Sequence, residues 1–327
     1  MPKILQTTSE LTGEDRRAWL KARLGISRMG HRVEPGLYSL GNPNRNSPVF
    51  VTANYRLSFN ALRSQLGGTD CYILVLDTEG INVWCAAGKG TFGTGELVRR
   101  IESTNLKDIV GHRRLILPQL GAPGVAAPEV VRRTGFKVEW GPIRASDIPE
   151  YMRTRRTTEE MRTVRFDLTD RMEVIPVEIK NVFAPLALAT VVLFLIGMRS
   201  TALMILAIAV AGVVAFPILL PFLPTHDFTS KGFLLGVIAS IPFMTGAYSA
   251  NANEAPWVTL ALTLVPPLLI APWVAFLALN FTGSTTFTSR TGVRREIFRY
   301  IPIIAVTFIL GLGLEIGFGL AKWYGVM

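Results

Sequence analysis

Five long apolar windows fill the second half of the chain, at residues 182–198, 202–223, 233–250, 257–279 and 301–320. Each is about 17 to 23 residues long, enough to cross a hydrocarbon core of roughly 30 Å as a helix rising about 1.5 Å per residue. The first half carries shorter apolar runs separated by turn residues. Residues 48–52 and 72–76 read as buried strands, the second closed by Asp77, Thr78, Glu79 and Gly80. Residues 114–117 and 136–140 read as two more. Between them, residues 57–66, 95–101 and 127–135 carry helical periodicity. Strands and helices that alternate at short spacing predict a small parallel sheet with crossover helices.

These patterns define an α/β, Rossmann-like domain followed by an all-α transmembrane domain of five helices. The expected boundaries are 1–165 for the α/β domain, 166–180 for a charged, Gly-free amphipathic connector and 181–327 for the transmembrane domain.

Charge divides at the same place. Residues 1–180 hold 27 basic and 20 acidic side chains, whereas residues 181–327 hold seven and four. A single soluble domain and a disordered tail are both excluded. Residues 1–16 contain no apolar signal segment, so the N-terminal domain is expected in the cytoplasm and the protein in the cytoplasmic (inner) membrane, multi-pass. Arg290, Arg294, Arg295 and Arg299 lie in the predicted inside loop 280–300, as the positive-inside rule requires, and Met327 is expected outside. Membrane lipid is therefore an expected partner. The net charge of +10 fits this bias, and no basic–aromatic interleaving points to nucleic acid.

Within the membrane windows, Pro266, Pro267 and Pro272 predict a broken fourth helix. Glu315 is expected to face other helices or a polar cavity. The hydroxyl-rich loop 282–289 is a candidate docking surface for the soluble domain or a partner.

The candidate chemistry follows the second strand, in the run from Gly80 to Gly93, where ligands of open α/β sheets bind. A phosphate loop fails there, because seven residues separate Gly80 from Gly88. Gly88, Gly90 and Gly93 match a dinucleotide fingerprint, but the strand ends about ten residues too early. Cys85 is the stronger candidate. It is expected in a strand-to-helix loop, with Ala86 and Ala87 starting the helix, a position that suits a thiolate. Its small neighbours Ala86, Ala87 and Gly88 leave room for a large flat ligand, with Trp84 at one edge and Lys89 able to pair with an acidic substituent. Cys71 belongs to the strand and reads as structural. With only two Cys and no nearby His, a zinc or iron–sulfur site built from this chain is not expected.

Asn82, Val83, Trp84, Cys85, Ala86, Ala87, Gly88 and Lys89 resemble the signature of the HgcA family, the membrane-bound corrinoid proteins of microbial mercury methylation. Residues 51–55, 57–59 and 114–125 are also similar to that family, as is the domain order. The soluble domain is similar to the corrinoid domain of the corrinoid iron–sulfur protein, although this chain lacks that relative's cysteine cluster and barrel. The resemblance implies a cobalamin-type corrinoid, with Cys85 as the lower axial ligand of cobalt and the catalytic residue. It implies a methyltransferase that passes a methyl group, as a carbanion equivalent, to Hg(II). An HgcB-like ferredoxin carrying [4Fe-4S] clusters would supply electrons, and an upstream methyl donor protein would reload the corrinoid.

The cofactor contacts expected are Thr52 and Asn54 after the first strand, residues Asn82 to Gly90, and Gly121, Ala122 and Gly124 in a loop where Gly permits close backbone approach. For that loop, an ordinary turn before the next helix is an equal reading. Two other functions compete: a membrane-tethered corrinoid methyl carrier serving another acceptor enzyme, and a transporter with a nucleotide-binding regulatory domain. The second leaves Cys85 unexplained.

Overall fold

The computed structural model describes residues 3–26, 30–285 and 287–325. Met327, Thr286 of the hydroxyl-rich loop and the side chain of Arg290 lie outside that description. The chain divides into two compact units, Met1–Arg165 and Phe166–Met327.

In the first unit a six-stranded mixed sheet has the order β1-β2-β4-β3-β5-β6. The strands are β1 (Ile4–Thr7), β2 (Gly36–Leu40), β3 (Val49–Ala53), β4 (Cys71–Leu76), β5 (Arg114–Pro118) and β6 (Lys137–Gly141). The helices are α1 (Gly13–Arg23), α2 (Arg56–Ser64), α3 (Val83–Lys89), α4 (Thr94–Ser103), α5 (Leu106–Ile109), α6 (Ala127–Thr134), α7 (Ile148–Thr154) and α8 (Glu159–Arg162). The expected all-parallel sheet is corrected at one ladder: β2 runs antiparallel to β4, with Leu37 opposite Leu74. The remaining ladders are parallel.

Every residue of β3 and β4 is buried, as both faces of these strands are covered. Alternation along β3 sends Val49, Val51 and Ala53 into a core shared with Leu97 and Ile101 of α4 and with Val83, Ala86 and Ala87 of α3. Phe50 enters the opposite core, against Phe59 and Leu62 of α2. The chain passes from β3 to β4 on one side and then to β5 on the other. The carboxyl ends of β4, β3 and β5 therefore lie side by side where the winding reverses, the position at which open α/β sheets bind ligands.

A separate polar cluster fastens the N-terminal segment to α2. Arg63 is buried and donates to Asn60 Oδ1 (2.8 Å), to the carbonyls of Thr8 (2.6 Å) and Glu10 (2.7 Å), and to Asp15 Oδ2 (2.5 Å). Burial alone would raise the Asp15 carboxyl. Hydrogen bonds from Thr12 and Asn60, with the Arg63 charge, hold it down at about 2.

The second unit is mostly helical and, among the described residues, has five helices long and apolar enough to cross a membrane. They are α9 (Leu168–Leu195), α10 (Arg199–Leu219), α11 (Phe228–Ala250), α12 (Pro256–Phe281) and α13 (Arg290–Trp323). The expected connector is not a separate element: Leu168–Glu178 continues through a π-turn at Ile179–Phe183 into the first apolar stretch. The expected break in the fourth helix is absent, since α12 runs through Pro266, Pro267 and Pro272. The expected loop 280–300 is corrected as well, because Ser289 caps Gly292 N–H and helix begins at Arg290.

Helices α11 and α12 pack backbone to backbone. A Cβ on Gly236 would lie 2.5 Å from Ala271 Cα, and one on Gly232 would lie 2.7 Å from Ala275 Cα. Small residues spaced by four on one face permit such approach between apolar helices. Glu296 is buried and accepts from the backbone N–H groups of Phe228 (3.3 Å) and Thr229 (3.0 Å), so an acid caps the positive end of α11. Arg171, also buried, donates to the carbonyls of Pro217 (3.0 Å) and Ile218 (3.1 Å) at the negative end of α10. Glu315, expected to face inward, is exposed on α13.

Hydroxyls of the 282–289 loop bond within this unit. Thr282 donates to the Leu279 carbonyl (2.6 Å) and Ser284 to Glu178 (3.0 Å), which withdraws these two from docking.

Candidate functional site

Three segments leave the sheet at its carboxyl edge: the residues after β3, the β4–α3 turn with α3 itself, and the 3₁₀ turn Gln119–Gly124 after β5. The β4–α3 turn is tight. Glu79 (φ +60°) and Gly80 (φ +74°) are both left-handed, a conformation that disfavours a side chain at Glu79. Asn54 imposes it. Its buried Oδ1 accepts from Thr78 N–H (3.0 Å), Thr78 Oγ1 (2.9 Å) and Gly80 N–H (3.0 Å), while its Nδ2 donates to Asp77 Oδ1 (3.1 Å). Asn54 was expected to touch the cofactor; its side chain instead shapes the loop that delivers α3.

Helix α3 begins earlier than expected. Asn82 is its N-cap and accepts from Cys85 N–H at 2.9 Å, so Cys85 stands in the first helical turn and not in the preceding loop. The helix splits the signature by face. Val83, Ala86 and Ala87, expected as cofactor contacts, have their side chains buried in the core. Trp84 and Cys85 are half-buried, and Gly88, Lys89 and Gly90 are exposed. Cys85 and Gly88 are three residues apart on the helix, so the thiol is flanked on its own face by a residue without a side chain. Gly90 ends the helix at φ +89°.

The glycines after β5 serve packing. A Cβ on Gly124 would lie 2.1 Å from the Phe92 carbonyl oxygen and 3.0 Å from Ala87 Cα. A Cβ on Gly121 would lie 2.5 Å from the Phe92 ring. Both glycines therefore let the turn close onto α3 and the residues after it, and Ala122, half-buried, remains at the surface of that turn. Thr52 is not brought to the site: it alternates with Val51 and shares the α2 face of β3 with Phe50.

The two cysteines differ in kind. Cys71 is fully buried in β4, and burial, with Asp70 nearby, pushes its thiol up to about 12. It is held as a neutral thiol, while Cys85 is partly open to solvent.

Two buried oxygens in the segments around α3, Thr91 Oγ1 and Gln119 Oε1, have no hydrogen-bond partner among the described residues. Buried polar atoms are rarely left so, and a ligand that brings donors to this edge would satisfy them. A corrin ring with amide arms has the matching chemistry: a flat face for the thiol and N–H donors at its rim. The residues present thus fit the group that the signature implies. Sequence reasoning missed Thr91, Gln119 and the role of Asn54; the Asn82 cap was readable from its residue type three positions before Cys85.

Residues 26–152 match the family described as CO dehydrogenase/acetyl-CoA synthase delta subunit (CdhD). The chain is 40% identical over 123 residues to the acetyl-CoA decarbonylase/synthase complex subunit gamma of Methanopyrus kandleri, covering 37% of this chain and 26% of that protein. The Archaeoglobus fulgidus subunit gamma is 36% identical over 123 residues, with the same coverage of both chains. The corrinoid/iron–sulfur protein large subunit of Moorella thermoacetica is 33% identical over 124 residues, covering 37% of this chain and 27% of that one. The chain spans about a quarter of the length of these relatives. The first unit accordingly contains a corrinoid-protein-like domain.

Proposed function

We propose that this chain is a membrane-tethered corrinoid methyl carrier in which Cys85 is the lower axial ligand of cobalt, and that Hg(II) is its methyl acceptor. The observation that carries the reading is the presentation of Cys85: a half-exposed sulfur in the first turn of a helix whose other face is locked into the core. The corrinoid, when bound, supplies the methyl group and the redox chemistry of its cobalt. Asn82 fixes the helix start and so the direction of the Cys85 side chain. Gly88 leaves the sulfur face uncrowded, and the half-buried Trp84, next to Cys85 in the chain, would offer an apolar border to the ring. Gln119 and Thr91 offer acceptor oxygens to the rim.

With the cofactor bound, sulfur donation from Cys85 would favour transfer of methyl with its electron pair, the polarity that a soft cation such as Hg(II) accepts. The residues Asn82 to Lys89 support mercury as acceptor, through their likeness to the HgcA signature. The names of the relatives, subunits of an acetyl-CoA decarbonylase/synthase complex, support the broader reading of a carrier that hands methyl to another protein. The five apolar helices support tethering in a membrane, and Arg290, Arg294, Arg295 and Arg299 between the last two apolar windows support a cytoplasmic first unit through the positive-inside bias. A ferredoxin of the HgcB type, carrying [4Fe-4S] clusters, and an upstream methyl donor protein complete the proposed cycle.

The test is single-turnover methyl transfer. Full-length protein loaded with methylcobalamin is mixed with Hg(II), and methylmercury is measured for wild type and Cys85→Ala. Formation by wild type and a loss in the variant beyond the roughly 10–100-fold that removal of an outer-shell partner costs support the proposal. Equal yields would overturn the role of Cys85. No methylmercury from wild type, with transfer to another acceptor protein, would leave only the carrier.

A further inference from the structure

Along the β6 edge of the sheet, the first unit holds a cleft of about 380 Å³ lined by Arg114, Glu139, Trp140, Tyr151, Arg155 and Arg162. Its size falls in the range of small-ligand sites, about 300 to 1,000 Å³. Three arginines and one carboxylate line it, so the lining is positive. Its internal ion pair is loose: Arg114 and Glu139 stand 3.9 Å apart, with the Arg114 side chain 65% exposed. Arg155 closes α7 in the left-handed region (φ +54°), its N–H bonded to the Tyr151 carbonyl at 2.7 Å. Arg162 Nε donates to Thr157 at 2.9 Å, which orients the guanidinium on the cleft wall. Burial raises the Tyr151 phenol, so its hydroxyl remains a donor at neutral pH.

We propose that this cleft binds a phosphate group, with Arg114, Arg155 and Arg162 as its ligands and Trp140 and Tyr151 against the carbon part of the molecule. Guanidinium groups pair with phosphate oxygens two at a time, and a positive lining with a single acid suits an anion of more than one oxygen. Two sources carry that chemistry: the headgroup of an anionic lipid and a free phosphate ester. The sequence favours the lipid. Arg153, Arg155, Arg156, Arg162 and Arg165 cluster just before α9, the first helix apolar enough to span a membrane, and basic clusters beside spans bind anionic headgroups.

The experiment titrates full-length protein in neutral detergent with dioctanoyl phosphatidylglycerol, with glycerol 3-phosphate and with dioctanoyl phosphatidylcholine, by calorimetry. Arg114→Gln/Arg162→Gln is compared with Arg132→Gln/Arg133→Gln, which removes equal charge from exposed positions on α6, outside both the cleft and the basic cluster before α9. Cobalamin binding serves as the folding control for both. Saturable binding of phosphatidylglycerol or glycerol 3-phosphate, weakened at least tenfold only by the cleft pair, is expected; the tighter of the two identifies the source. The proposal is overturned if neither anion binds, if phosphatidylcholine binds equally, or if both variant pairs weaken binding alike. Should the cleft pair fail to bind cobalamin, Arg155→Gln alone is titrated and must give the same loss.

Discussion

The side-chain oxygen of Asn54, just beyond β3, accepts the backbone N–H of Gly80 at 3.0 Å, and through this bond one strand end dictates the turn of the next. The same oxygen takes both Thr78 donors, so removal of the amide orphans several buried groups together. Asn54→Ala should destabilise the first unit by about 2–4 kcal/mol, from roughly 1–3 kcal/mol per unsatisfied buried polar group. Denaturant unfolding followed by circular dichroism measures it. The variant should also bind cobalamin more weakly, since α3 loses its fixed origin.

Gly124 and Gly90 should respond differently to alanine. At Gly124 the new Cβ meets the backbone of Phe92 and Ala87, neither of which can swing away, and overpacking of this kind costs about 1–3 kcal/mol. At Gly90 the space is open and only the left-handed backbone is strained, for about 1–2 kcal/mol. Cobalamin affinity separates them better than stability. Gly124→Ala displaces the turn from α3 and should weaken binding, whereas Gly90→Ala should bind as wild type does.

Thiol labelling distinguishes the cysteines without any cofactor. In the native protein at pH 8, iodoacetamide should modify Cys85 and leave Cys71 untouched, because Cys71 is enclosed in β4 and its thiol is raised to about 12. Peptide mass spectrometry gives the site. Bound cobalamin should then protect Cys85.

Asp15 stabilises the first unit in a way that acid removes. Its carboxyl sits at about 2 when folded, against an ordinary value of 3.8. The depressed value means that the stabilisation is present above about pH 4 and is lost as pH falls through 2. A tenfold change in a carboxyl's proton affinity corresponds to about 1.4 kcal/mol, so about 2 kcal/mol is at stake. Asp15→Asn should flatten the stability–pH curve between pH 4 and 2 in urea unfolding series.

Much of this architecture was legible because the central strands are apolar throughout. Strands β3, β4, β5 and β6 and helices α2, α4 and α6 lie within a few residues of the runs that mark them. Strand β1 escaped notice because it is only partly buried along its length, so its residues alternate weakly. The antiparallel β2 also escaped, since direction follows from the long connection between α1 and β3 and not from any local pattern. Cys85 was legible as a chemical candidate, but its neighbours were not sorted: composition marks Ala86 and Ala87 as small, and only the helix phase shows that they face the core. Asn54 shows the same limit. A polar residue after a strand reads as a ligand contact until its partners, 23 to 26 residues further along the chain, are seen to be the turn itself. In the second unit, three prolines were read as a break, yet α12 tolerates them where close neighbours such as α11 cover it.

The central claim is that Cys85 holds cobalt. An anaerobic absorbance spectrum of full-length protein with added cobalamin, wild type beside Cys85→Ala, tests it most directly. The account predicts a base-off, sulfur-ligated spectrum in wild type that the variant loses, with Cys71→Ala behaving as wild type. A variant spectrum identical to that of wild type would contradict it.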